Sequence, residues 1–161
     1  MRLPWSTITG MRNDARTSRP SLVWASIAAL VALIAFASTA QVMVNGSRSP
    51  YATDVGELQN ALPRWGTLHF TGYPLYSLVG SAFVSLLRAV GIAPAAGASM
   101  YSALWGSVTI LLFGLLLGDL SVSPAIAAIA GITYALTKSL WIDASLAEVH
   151  TMTMALSIAS V

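Results

Sequence analysis

Two carboxylates, Asp54 and Glu57, stand three residues apart. On a helical turn that spacing puts both on one face, which suits a general base with a helper, or two oxygen ligands of a divalent cation. Plain solvation in an outer loop fits the same pair. Glu148 and His150 stand where an uncharged run begins at Thr151. Ionisable groups beside hydrocarbon are expensive and tend to be functional, although long polar side chains also reach out to the interface there. His69 and His150 are distant from each other and lack ligand spacing, so they make a poor zinc signature. The sequence contains no P-loop, GxGxxG, GxSxG or HExxH pattern.

The rest of the chain must hold these groups, and its composition names the solvent. Of 161 residues, 56% are hydrophobic and 9% charged, with a mean hydropathy of +0.73, against about 25% charged in soluble domains. That excludes an ordinary soluble globule and a disordered chain. The net charge of +2, without a basic stripe, excludes nucleic acid as a partner. There is no cysteine, hence no disulfide framework or thiolate chemistry. A lipid bilayer is the expected partner.

Residues 1–20 form a basic arm with Arg2, Arg12, Arg16 and Arg19, half of the eight basic residues. An uncharged run from Ser21 to Val44 follows, long enough for a helix to cross a hydrocarbon core of ~30 Å. The arginines before it predict a cytoplasmic N-terminus and an outer face after Val44. The arm, the run and Ser38-Thr39-Ala40 also fit a cleavable signal peptide, for which the run is long. Residues 45–98 read as an outer loop, with most of the polar groups between Tyr51 and Phe70. Within it, Leu75 to Val90 predicts an amphipathic helix with Ser77, Ser81, Ser85 and Arg88 on one face. Its length of about 24 Å is short for a span and favours a helix lying in the interface.

Two further spans are expected at 99–118 and 120–137, joined by a tight turn, with Pro124 in the first turn of the second. Gly114 and Gly118, then Ala127 and Gly131, repeat a small-xxx-small spacing that lets helices approach closely in lipid. Another span starts at about 149 and stops after eleven apolar residues, Thr151 to Val161. The chain therefore reads as the N-terminal part of a larger multi-spanning protein. Topology decides the chemistry. If the helix at 75–90 stays in the interface, Asp54, Glu57 and Glu148 share the outer face; if it crosses, Glu148 lies opposite Asp54.

The loop as a whole is more specific than its parts. Asp54-Val55-Gly56-Glu57, followed by His69-Phe70-Thr71-Gly72-Tyr73-Pro74-Leu75-Tyr76, resembles the D-x-G-E and H-P-x-G-Y-P-L-Y signatures of a family of multi-spanning proteins, long labelled a domain of unknown function. That family is related to the protein O-mannosyltransferases of the GT-C superfamily. Trp141 to His150, with Ala147-Glu148-Val149, resembles its W-x-x-A-x-x-A-E-V-Y segment. The departures are Phe70 where proline is usual and His150 where tyrosine is common.

The resemblance implies an all-α GT-C-like bundle, of which this chain is the N-terminal part, with an interfacial helix in the first outer loop. It implies an enzyme that transfers a hexosyl group with inversion, from a polyprenyl-phosphate donor to a protein or glycan hydroxyl outside the plasma membrane. Asp54 is then the base, with Glu57 and Glu148 beside it as catalytic residues. His69, Tyr73, Arg64 and His150 are expected to bind substrate, with Arg64 or Arg88 neutralising the donor phosphate. No cofactor is demanded, although Asp54 and Glu148 could share a divalent cation. The chain alone is expected to be inactive. A transporter or flippase, or a non-catalytic membrane protein, is the alternative; charged or broken helices at the bilayer midplane would mark a transporter, and the three complete predicted spans are uncharged.

Overall fold

The computed structural model describes residues 19–46, 54–69 and 72–161. Most of the basic arm, Tyr51 and Phe70 lie outside the described residues. Among those described, the regular structure is all helical. The helices are α1 (Arg19–Ser38), α2 (Val55–Ala61) with a 3-10 turn at Leu62–Arg64, α3 (Pro74–Ala89), α4 (Pro94–Asp119), α5 (Pro124–Ala135), α6 (Lys138–Ser145) and α7 (His150–Ala159). Proline sits in the first turn of α3, α4 and α5, where its missing N–H costs nothing.

α1 and α4 are long and apolar enough to cross a membrane. α5 and α6 would make a third crossing only as a bent pair, with 69° between their axes. Within the predicted span at 120–137 lies the 12-residue helix α5, and after a break the chain continues into α6. The run predicted to be helical to Val44 stops at Ser38. Long-range bonds explain the stop: Gln41 N–H donates to the Ser145 carbonyl (2.9 Å), and the Thr39 hydroxyl meets the Ser145 hydroxyl (2.8 Å) and accepts from Trp141 Nε1 (3.0 Å). α6 thereby takes the chain away from α1.

The bundle is small inside and large outside. Ala25, Ala28, Ala29 and Ala32 of α1 are buried while Leu22, Val23, Ile27, Leu30 and Ile34 are exposed. In water that arrangement would be unfavourable; in lipid, association rests on close packing, and small residues let backbones meet. The glycine spacing does this work. A Cβ on Gly114 would lie 2.9 Å from Ala25 Cβ, one on Gly118 3.2 Å from Ser21, and one on Gly131 3.3 Å from Ile110.

These contacts also give the order along α4. Gly118, Gly114 and Gly106 face Ser21, Ala25 and Phe36 of the antiparallel α1. Closer to the start of α4, Gly97 faces Val84 and Leu87 of α3, and the Tyr101 ring lies 5.0 Å from Tyr76. α3 therefore packs on the part of α4 that extends past the α1 contact. α4 has 26 residues and rises about 39 Å, more than the hydrocarbon thickness requires. Gly91, at φ +89°, ends α3 with Ile92 N–H bonded to the Leu87 carbonyl (3.0 Å), and the chain turns directly into α4. On α3, Ser81 is buried, whereas Leu75, Leu78, Leu86 and Val90 are exposed. The serine stripe faces the protein and the leucines face outward, the reverse of an amphipathic helix on a water-facing surface.

Two cores result. One joins α1, α4, α5 and α6 through residues such as Ala32, Phe36, Ile110, Ala128 and Leu140. The other, around Val55, Leu58, Tyr76, Tyr101, Ala147 and Met152, joins α2, α3, the start of α4 and the segment before α7. The candidate acids stand at the rim of this second core.

Candidate functional site

Asp54 and Glu57 open α2, as their spacing predicts. Asp54 is the N-cap residue, but its side chain makes no cap bond, so its carboxylate remains available to other partners. α2 is fixed from behind by Gln59, which is buried and accepts the Asn45 N–H through Oε1 (2.7 Å). Gly56, between the acids, lets this happen: a Cβ there would collide with the Asn45 carbonyl oxygen. Gly56→Ala must push α2 off that loop, and it is expected to cost about 1–3 kcal/mol. Thermal unfolding in detergent measures it, and unchanged stability would mean the loop is not fixed against α2.

Glu57 is held by His69. One carboxylate oxygen accepts the His69 backbone N–H (2.6 Å), and the other lies 2.8 Å from His69 Nδ1. His69 Nε2 lies 3.9 Å from Asp54. The bond to Glu57 and the charges of Glu57 and Asp54 hold the exposed imidazole above its ordinary pKa of 6.5 against its own desolvation. One ligand atom from each of Asp54, Glu57 and His69 falls within 4.8 Å of the others, a set that could take a divalent cation. Tyr73, in the left-handed region at φ 39°, precedes α3 and sets its ring edge-on to His69 at 6.0 Å.

Glu148 reaches the same end of the bundle by a different route. Its backbone N–H donates to the Ser102 hydroxyl, which in turn donates to the Glu148 carbonyl, both at 2.9 Å. α4 thus fixes the residue, whose exposure is 8%. Burial pushes the carboxyl up to about 7; His150 opposes this, while Asp143 and Asp54 add to it. Val55 and Leu58, next to Asp54, share one core with Ala147 and Val149, which flank Glu148, so the two acidic segments are neighbours. His150 stands exposed between Asp143 (3.6 Å) and Glu148 (4.0 Å).

Residues 54–161, two thirds of the chain, match the family model described as the protein O-mannosyl-transferase TMEM260 N-terminal domain. The chain belongs to that family. No curated protein and no solved structure matches it. The resemblance read from the polar loop and the Trp141–His150 segment is thereby borne out, and the family is one of glycosyltransferase-related membrane proteins. The match begins at Asp54 and contains every residue of the acidic cluster.

Within this TMEM260-family domain, the structure brings together Asp54, Glu57, His69 and Tyr73, with Glu148 and His150 beside them. It does not bring in Arg64. That side chain is exposed on the 3-10 turn beyond α2 and lines a separate cleft with Arg88. Three neighbours escaped the sequence reading as site residues. Asp143 pairs with His150 from α6. Ser102 holds Glu148. The Tyr76 hydroxyl is buried without a well-formed hydrogen bond; burial pushes its pKa up, and the charges of Tyr101 and Glu148 add to this. Tyr76 closes the H-P-x-G-Y-P-L-Y signature and was in that sense visible. Ser102 is one serine in an apolar run and carried no signal.

Proposed function

We propose that this domain carries the acidic half of a GT-C glycosyltransferase site on the outer face of the plasma membrane, with the N-terminus cytoplasmic. The enzyme takes a sugar from a polyprenyl-phosphate donor and places it on a protein or glycan hydroxyl. The observation that carries the reading is the convergence of Asp54, Glu57 and His69 with Glu148 at the rim of one core, which Val55, Leu58, Ala147 and Val149 share. The packing of α3 on the protruding start of α4 supports an interfacial α3, the topology that a shared outer site requires.

In this mechanism Asp54 removes the proton from the acceptor hydroxyl. The oxygen's electron pair forms the new bond to the anomeric carbon. The bond from that carbon to the phosphate oxygen breaks in line, its electron pair leaves with polyprenyl phosphate, and the configuration inverts. Glu57, clamped by His69, fixes the position of the base. Glu148, with a carboxyl near neutrality, exchanges hydrogen bonds with a substrate hydroxyl, and Tyr73 and His150 border the substrate. A lipid-linked donor suits a site at helix ends, because its sugar phosphate stays at the interface and never has to enter hydrocarbon.

The test is donor dependence, using the full-length protein that carries this domain in proteoliposomes. Labelled mannose supplied as polyprenyl-phosphate mannose should appear on protein or glycan acceptor, and labelled nucleotide sugar should give none. Transfer from the nucleotide sugar alone would overturn the reading.

A further inference from the structure

A large cleft opens away from the acids. It is a cleft of about 590 Å³ between the chain after α1, the end of α2 with its 3-10 turn, the end of α3 and the start of α4. Its polar wall carries Arg64 of the 3-10 turn and Arg88 of α3, with Gln59 and Asn60 of α2; its apolar wall includes Val42 and Val44. Among the described residues, no acid lines it and neither arginine makes an ion pair. Two guanidinium groups from different elements thus open on one cavity without a counter-charge. The start of α4 opens there too, with no side-chain cap and no acid in its first turn. Next to this charge, Val42, Met43 and Val44 are 62%, 75% and 55% exposed. Paired cationic forks beside an exposed apolar strip match one amphiphile: a phosphate headgroup with a hydrocarbon chain attached.

We propose that this cleft binds a phospholipid of the surrounding bilayer, its phosphate on Arg64 and Arg88 and an acyl chain along Val42, Met43 and Val44. It is separate from the sugar-transfer site. A donor's phosphate must lie one bond from the reacting anomeric carbon, beside Asp54. Asp54 begins α2, whereas Arg64 lies beyond its far end, and none of Asp54, Glu57, His69 or Glu148 lines the cleft. The proposal therefore stands independently of the transferase reading.

Native mass spectrometry of the full chain in detergent tests it, with phosphatidic acid, phosphatidylcholine and glycerol 3-phosphate as probes. Phosphatidic acid should be retained in preference to phosphatidylcholine, and glycerol 3-phosphate should neither bind nor compete. The double variant Arg64→Gln/Arg88→Gln should lower phosphatidic acid occupancy by about tenfold or more, the effect of losing two charge-assisted contacts. Arg64→Lys/Arg88→Lys, which keeps the charge and loses the forks, should recover part of it. Asp54→Asn should bind phosphatidic acid as the parent does. Undiminished binding by the glutamine double variant overturns the site. Competition by glycerol 3-phosphate overturns the lipid as its occupant, and loss of binding in Asp54→Asn overturns its separateness.

Discussion

Replacing Asp54 with asparagine is expected to lower sugar transfer by about 10²- to 10⁴-fold, the range a positioned general base supplies. The amide keeps the size and the hydrogen-bonding oxygen, and loses the ability to take a proton. Folding should survive. The Asp54 side chain is about half exposed and makes no cap bond for α2. The backbone carbonyl, which the substitution leaves in place, accepts the Leu58 N–H (3.0 Å). Steady-state transfer and thermal unfolding, measured on the same preparation, separate the two effects. Transfer at the parent's rate would remove Asp54 from the base role.

The second large effect is on stability against pH. Glu148 has a folded pKa of about 7 against an ordinary 4.5, chiefly because it is buried. Between those values the native state binds more protons than the unfolded chain, so stability falls as pH rises. The loss is complete above about pH 7, and the shift corresponds to about 3 kcal/mol. His69 changes stability in the same direction at higher pH. Its raised pKa gives stability that is complete below 6.5 and lost as pH rises through the folded value. Glu148→Gln separates the two: the unfolding midpoint of the parent should drop from pH 5 to 7, and that of the variant should drop by clearly less, keeping the part that His69 loses above 6.5. A parent that is equally stable at pH 5 and 7 would contradict the burial of this carboxyl.

The elements were legible in the sequence wherever a single interaction dominates. Uncharged runs gave the two long helices, α1 and α4, because charge in hydrocarbon is costly whatever the neighbours are. Pro124 marked the start of α5 for a local steric reason. The early end of α1 at Ser38 was not legible, since it depends on hydrogen bonds to Trp141 and Ser145 more than a hundred residues away. Nor was α6, which lies between the spans expected at 120–137 and from about 149. The serine stripe on α3 was visible as periodicity, but periodicity does not say which side meets protein. In lipid the apolar side faces outward.

The candidate site divides in the same way. The spacing of Asp54 and Glu57 put them on one turn without knowledge of the fold. The capture of Glu57 by His69 crosses a turn that contains Gly72 at φ +65°, and sequence distance alone does not disclose it. Arg64, expected among the substrate ligands, lies beyond the far end of α2 because the 3-10 turn carries it past the helix that presents Asp54. Glu148 joined the cluster only through topology, by which α4 brings Ser102 to its backbone.

Membrane sidedness tests the central claim, a single outer site built from both acidic segments, most directly. The chain has no cysteine, so single cysteines at Asn60, Val90, His150 and Asp119, all exposed, can be labelled in intact cells with an impermeant thiol reagent. The account predicts labelling at Asn60, Val90 and His150, with Asp119 reached only after permeabilisation. Labelling at Asn60 while His150 reacts only after permeabilisation would place Asp54 and Glu148 on opposite faces and contradict it.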